Sequence, residues 1–338
     1  MAKRSDIYNK VVQELRRNSS TILQVSKAIN VNWETVKYAI ETLEKIKLVT
    51  SSEEHGKTHY TLNEAEFLQL QEDTLLGLPI TERQRKATIS LAKRISEKWK
   101  NIFPERQLNK TFLQKVLVKL VQRYQIKEIP YGWYLFGQCA VLYSMDAENI
   151  PADTQHDKEI EEVIIEYKNT LTTKDLLQKH YLEEGNELYL ARFKISEILS
   201  YRFTRESLDL FKRNLKQFVF SFPRTEDNDK IIELTNGFYS LGLRLINSYN
   251  ENELEDLRNM IYDAFTSMWE LMATYNLYNS LRGKGWYEDA VLKRYYLLRV
   301  EILIPTVEEY LTILQDHCPP INIPQDDPLR KLITPRES

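Results

Sequence analysis

The chain has 338 residues, of which 42% are hydrophobic and 28% charged, so it has enough apolar side chains for two or three ordinary domains. Two cysteines, Cys139 and Cys318, are too few for a disulfide framework and favour a reducing, cytoplasmic location. The most apolar stretch, Tyr131 to Tyr143, is shorter than the ~20 residues that cross a bilayer, and the amino terminus lacks the apolar core of a signal peptide. We therefore expect no membrane partner.

Charge is unevenly distributed along the chain. Residues 1–130 contain 23 Lys and Arg against 15 Asp and Glu, whereas residues 131–338 contain 23 against 34. A basic amino-terminal part is suited to contact phosphates, and an acidic carboxy-terminal part is not.

The first sixty residues predict three helices and a hairpin. Apolar residues at helical spacing predict helices over residues 5–17, 22–29 and about 33–47, and Asn32 is the expected N-cap of the third. Alternating residues on both sides of a polar turn then predict a two-stranded hairpin between residues 48 and 62.

The remaining elements are predicted to be helical. A linking helix over 63–76 precedes two amphipathic helices over 81–102 and 108–124. The apolar segment 131–145 is interpreted as a buried helix. The helices that follow it are rich in aromatic residues, which are interpreted first as their core and alternatively as the lining of a small-ligand site or an oligomer interface. Their expected spans are 157–169, 173–183, 186–200, 204–221, 228–249, 252–281 and 286–314. The tail from Cys318 contains several prolines and is expected to be extended.

The segment ILQVSKAINVNWETVKYAIETLEKIKLV resembles the helix-turn-helix core of winged-helix transcriptional regulators. The resemblance covers residues 5–63 and rests on apolar positions that would hold the second and third helices at a fixed angle. We therefore expect a mainly α protein, in which an amino-terminal winged helix-turn-helix is followed by a large all-helical domain. The expected divisions are 1–65 for the winged helix, 66–130 for linking and basic helices, 131–317 for the helical domain and 318–338 for the tail.

The resemblance implies that the third helix is the recognition helix, whose outward residues near its start meet base edges in the major groove. The implied DNA contacts are Asn32, Trp33, Lys37 and Tyr38 on that helix, Thr21 and Lys27 on the second helix, and His55 and Lys57 on the wing. Trp33 has an alternative interpretation as a cover over the core. Glu34 and Glu41 are unusual on a DNA-binding face, and residues 1–63 contain only 10 basic against 7 acidic residues, so a homodimer or a second basic surface is expected to help.

A second basic surface is predicted between residues 79 and 130, which contain 13 basic against 4 acidic residues. Lys115, Lys119 and Arg123 recur every four residues and so form a stripe on one helix. This stripe either contacts DNA or is a solvated face, or it pairs with the acidic carboxy-terminal domain of the same chain or with a partner.

No catalytic motif is recognisable. The sequence has no P-loop, no GxGxxG and no GxSxG, and its five histidines show no metal-ligand spacing, so we expect neither an enzyme nor a cofactor nor a metal. The expected function is sequence-specific binding of double-stranded DNA by a transcriptional regulator whose helical domain dimerises, senses or recruits. Two alternatives remain open, namely a protein-docking module in a larger nucleic-acid-processing assembly and an enzyme that acts on nucleic acid.

Overall fold

A computed structural model describes residues 7, 10–12, 14–15, 18–45, 49–54, 56–63, 74–142 and 150–318. The protein is mainly helical, with 69% helix and 8% strand, as the sequence predicted. Within the described residues, none of the helices is both long and apolar enough to cross a membrane.

The chain forms two compact units. The first contains Met1–Leu176 and Thr274–Leu303, and the second contains Leu177–Ala273 and Ile304–Ser338. Two of the three predicted divisions, those after residues 65 and 130, fall inside the first unit.

The amino-terminal module of the first unit consists of helical residues between 7 and 15, followed by two helices and a hairpin. These are α1 (Ile22–Ile29), α2 (Trp33–Lys45), β1 (Val49–Glu54) and β2 (Lys57–Leu62). The strands are antiparallel, and Ser20 forms an additional bridge to Tyr60 through two backbone hydrogen bonds of 2.9 and 3.0 Å. The sequence pattern did not predict this bridge, because a single paired residue leaves no periodicity.

A small apolar core holds this module together. Val11, Val25, Val36 and Ile40 are completely buried in it, at the helical spacing that the sequence predicted. Leu298 and Ile302 of the last helix pack against the same core, so the module is joined to the rest of the first unit by apolar contact.

The middle of the first unit is built on α3 (Glu82–Ile102), α4 (Lys110–Arg123) and α5 (Asp157–Ile165). The side chains of Thr81 and Asn109 cap α3 and α4 by accepting hydrogen bonds from backbone N–H groups three residues ahead. Trp99 of α3 lies at the centre of a core to which all three helices contribute.

Residues 131–140 form a hairpin, so the helix predicted over 131–145 is wrong in this part, and residues 143–149 lie outside the described range. The strands are β3 (Tyr131–Tyr134) and β4 (Gly137–Ala140). Gly137 has φ +89°, and Gly132 approaches α10, defined below, so closely that a Cβ would lie 2.5 Å from Ser280 Oγ. A short apolar run is ambiguous in sequence, and these two glycines with their aromatic neighbours favour strands.

The remaining helices begin and end within a few residues of their predicted spans. They are α6 (Thr173–Glu183), α7 (Glu187–Leu199), α8 (Arg205–Phe220), α9 (Asp229–Ser248), α10 (Glu251–Leu281) and α11 (Asp289–Asp316). Most of their aromatic side chains are buried, as expected, although Phe220 and Tyr262 are exposed.

Two predictions lie mostly outside the described residues. Of the linking helix, the structure describes the end, where Leu75–Gly77 form a single 3-10 turn. Of the tail, it describes only Cys318.

Candidate nucleic-acid interface

The outer face of α2 carries four of the predicted DNA contacts. Trp33 and Tyr38 are 43% and 48% exposed, whereas Val36 and Ile40 on the opposite face are completely buried. Trp33 is therefore not part of the buried core, although more than half of its surface is covered, and the start of α2 carries two large side chains that are about half exposed.

Asn32 and Thr21 each have a structural role at the start of a helix. The Oδ1 atom of Asn32 accepts a hydrogen bond of 2.8 Å from the backbone N–H of Glu34, and the hydroxyl of Thr21 accepts one from Gln24 at the start of α1. Such caps contribute about 1 kcal/mol each. The Oδ1 atom of Asn32 is thus engaged, while its side chain as a whole is exposed.

Lys37 lies one turn after Trp33 and is held by two neighbours. Its Nζ atom is 3.7 Å from Oε1 of Glu41 and 5.4 Å from the centre of the Trp33 ring. An exposed pair of this kind contributes about 0.3–0.5 kcal/mol and an exposed cation–π contact about 0.5–1 kcal/mol. The ammonium of Lys37 is therefore positioned, but it is not held too tightly to move to another partner.

The other predicted contacts of the module are also at its surface. Lys27 is exposed in the last turn of α1, and Lys57 is exposed on β2 opposite Glu54. His55 lies outside the described residues. The module also carries acidic groups, among them Glu41 and Glu44. Burial and the negative charges of Glu44 and Glu41 raise the pKa of Tyr60.

Lys115 does not belong to an exposed stripe, so this part of the predicted basic surface is wrong. The side chain is only 4% exposed, and its Nζ atom donates hydrogen bonds of 2.7 and 2.6 Å to the backbone carbonyls of Phe136 and Gln138. The physical reason is the β3–β4 hairpin, which packs on α4 and brings its carbonyl groups to the ammonium.

Lys119 and Arg123 share one carboxylate of the same unit. Their nitrogen atoms lie 2.7 and 2.5 Å from the carboxylate oxygens of Glu166, just after α5. Burial raises the pKa of Glu166, but the hydrogen bonds from Arg123 and Lys119 outweigh burial, and the pKa lies below its usual value. Both cations thus have an intramolecular anion at the position where phosphate was expected.

Two cations of α3 are paired with α5 in a similar way. Asp157 Oδ2 lies 2.5 Å from Arg94 Nη2 and 3.0 Å from Lys98 Nζ, which also contacts Glu161 at 2.5 Å. Hydrogen bonds from Arg94 and Lys98 hold the pKa of Asp157 far below its usual range. These cations therefore pair with acidic residues of the same chain, which is one of the alternatives to DNA contact that the sequence left open.

The sequence contains a signal for this pairing. Arg94 and Lys98 are four residues apart, and so are Asp157 and Glu161, so each pair occupies one helix face. Matching spacing of opposite charges on two helices predicts a contact only when the helices are known to pack together, which local sequence does not reveal.

The described residues offer little that is typical of a catalytic centre. Within them, no three or more His, Cys, Asp or Glu side chains are grouped so that they could hold a metal ion. Burial raises the pKa of the Cys139 thiol to about 11, and that of Cys318 is also raised by burial. A thiol with a raised pKa stays protonated at neutral pH and is a poor nucleophile.

In comparisons with known proteins, no protein family, no curated protein and no solved structure matches the chain significantly.

Proposed function

We propose that residues 5–63 are a winged helix-turn-helix that binds double-stranded DNA at specific sequences, and that the chain is a transcriptional regulator. The observation that carries this proposal is the outer face of α2. Its exposed residues, from Asn32 to Glu41, project from a packed core of helices closed by a hairpin. A helix supported in this way has the size and rigidity to enter a major groove about 12 Å wide.

Each surface of the module has its own part in the proposed complex. Asn32, Lys37 and Trp33 face base edges and sugars, and Tyr38 contacts a phosphate. Lys27 of α1 and Lys57 of the hairpin contact the phosphates on the two sides of the groove, which fixes the register of α2 without reading sequence.

A homodimer is part of the proposal, because one module offers few cations. Residues 1–63 have a formal excess of three basic residues, and the cations at 94, 98, 119 and 123 are paired within the first unit. Two modules that bind two half-sites double the number of phosphate contacts, and this compensates for the modest charge of each.

Binding of the full chain to a pool of random duplexes, measured by electrophoretic shift, tests the proposal. We expect salt-sensitive binding that the double variant Trp33→Ala, Lys37→Ala weakens at least tenfold, because both side chains belong to the projecting face. Lys119→Met is the matched control and should bind as the parent does, because Lys119 pairs with Glu166. Absence of salt-sensitive duplex binding by the parent chain would refute the proposal.

A second candidate function is protein docking, which the apolar and acidic residues of the same surface favour. Leu23 is 53% exposed on α1, and Trp33 and Tyr38 are exposed near Glu34 on α2. Exposed aromatic residues are enriched at protein interfaces. A chain that binds no duplex, but captures a protein partner that the Trp33→Ala variant loses, would establish this alternative.

A further inference from the structure

The capping role of Asn32 restricts what its side chain can read. An amide side chain recognises adenine by two hydrogen bonds at once, accepting from N6–H and donating to N7. In this protein the Oδ1 atom of Asn32 already accepts from the backbone N–H of Glu34, at 2.8 Å. The cap thus occupies one of the two acceptor positions of Oδ1 and fixes the orientation of the amide, which restricts how Asn32 can meet an adenine while α2 stays capped.

Lys37 is a pure donor on the same face. An ammonium has three N–H groups and no acceptor. In the major groove, guanine presents two neighbouring acceptors, O6 and N7, and is the base to which lysine donates best. Lys37 is placed for this contact, since it lies one turn into α2 and its Nζ atom is kept near the Trp33 ring, 5.4 Å from its centre.

Glu41 supplies the complementary chemistry beside Lys37. A carboxylate only accepts, and in the major groove cytosine presents its N4 amine as a donor with no acceptor on the same base. Carboxylate oxygens are repelled by the acceptors of guanine and thymine. The carboxylate lies 3.7 Å from the Lys37 ammonium, and the guanine O6 and cytosine N4 of one base pair are likewise adjacent.

We propose that α2 reads a G·C base pair through Lys37 and Glu41, with Lys37 donating to the guanine and Glu41 accepting from the cytosine. The proposal rests on the proposed function of the module. It adds that each half-site contains a G·C pair at one fixed position, and that the ion pair of the unbound protein opens to span the base pair.

Binding-site selection with the full chain and random duplexes tests this inference. We expect one invariant G·C pair in each selected half-site. Replacement of that pair by A·T should weaken binding by roughly 5- to 150-fold, the range for one good base contact. Replacement of the guanine by 7-deazaguanine, which lacks the N7 acceptor, should weaken binding in the same direction.

Variants separate base reading from general affinity. Lys37→Met should remove the preference for G·C over A·T at that position, and Glu41→Gln should reduce it. Lys27→Met is the control, because an exposed cation on α1 should affect every duplex equally and leave the preference unchanged. Circular dichroism of each variant verifies that it folds.

The possible results distinguish the two proposals. Failure of the parent chain to bind any duplex refutes the proposed function together with this inference. Duplex binding with A·T at the selected position, or with a G·C preference that Lys37→Met leaves intact, refutes the inference alone.

Discussion

Lys115 is a charged residue that is buried and forms hydrogen bonds in the interior of the first unit. Its ammonium donates to two carbonyl groups in the β3–β4 hairpin, and the neighbouring Gln114 accepts a hydrogen bond of 2.8 Å from the backbone N–H of Ala140. Two adjacent side chains of α4 thus form hydrogen bonds with backbone groups of the hairpin, namely the carbonyls of Phe136 and Gln138 and the N–H of Ala140. Buried polar backbone groups require such partners, because leaving one without a partner costs about 1–3 kcal/mol.

The Lys115→Met variant tests this role. Methionine keeps much of the side-chain length but leaves the carbonyl groups of Phe136 and Gln138 without this donor, so we expect the free energy of unfolding to fall by about 1–3 kcal/mol. Urea denaturation followed by circular dichroism measures the change. Lys100→Met, at an exposed position on α3, is the matched control and should change the free energy of unfolding by less than about 1 kcal/mol. Equal effects of the two variants would show that the buried hydrogen bonds contribute nothing to stability.

At the scale of elements, α5 acts as an acidic partner for two basic helices. Asp157 and Glu161 pair with α3, and Glu166, just beyond the end of α5, pairs with α4. A network is more effective than isolated surface pairs, because each shared carboxylate is already ordered by its first partner. The same network pairs four of the 13 basic residues between 79 and 130 with carboxylates, so this stretch is a less basic surface than its charge count indicates.

The network makes stability depend on pH in the acidic range. The pKa of Asp157 is lowered by its hydrogen bonds with Arg94 and Lys98, so its charged form stabilises the fold at pH values above the unfolded pKa of about 3.9. This stabilisation is lost as the pH falls towards the lower pKa of the folded state. We therefore expect Asp157→Asn to lower the urea midpoint at pH 7, by an amount that shrinks steadily below about pH 4.

Urea titrations of both proteins at several pH values measure this difference. Asp209→Asn is a suitable control, since Asp209 is exposed on α8. A difference between parent and Asp157→Asn that stays the same from pH 7 to pH 3 would contradict the assignment of a lowered pKa to Asp157.

Prediction from sequence succeeded for the helices because their signals are local. The N-cap at Thr81 and the apolar period that follows it are both visible in a short window, and α3 begins at the next residue. The same approach failed for the β3–β4 hairpin, because a strand of four residues is too short for its period to be distinguished from that of a helix. For the candidate site, exposure of Trp33 and Tyr38 follows from helical spacing, whereas the partners of Lys119 and Arg123 depend on a helix more than thirty residues away.

At the scale of the whole molecule, pairing within the first unit changes what the charge distribution means. The formal charge of −3 is the sum of a basic amino-terminal part and an acidic remainder. Those cations of α3 and α4 that already form ion pairs with residues 157–166 are less suited to bind phosphates. The cations that the proposed complex uses to hold phosphates are those of the amino-terminal module, such as Lys27 and Lys57. Binding should therefore depend on salt through a small number of contacts.

Salt dependence provides a test that compares the two sets of cations directly. Each phosphate contact contributes about 0.9 to the slope of log affinity against log salt concentration. The double variant Lys27→Met, Lys57→Met should reduce the magnitude of the slope by about 2 for each bound module, whereas Lys119→Met, Arg123→Met should leave it unchanged. Fluorescence anisotropy with a labelled duplex measures both slopes, and a reduced slope for the second variant would show that α4 contacts phosphate after all.

The sequence by itself determined where the helices of this protein lie and which faces of them are apolar, because capping and helical periodicity arise from residues within one or two turns of each other. Tertiary structure decided whether residues 131–140 are helix or hairpin, and which cations remain exposed. Lys115 meets carbonyl groups, and Lys119 meets Glu166, only because separate elements pack together. A charge count along the chain contains no information about that packing, since electrostatic partners are selected by proximity in space.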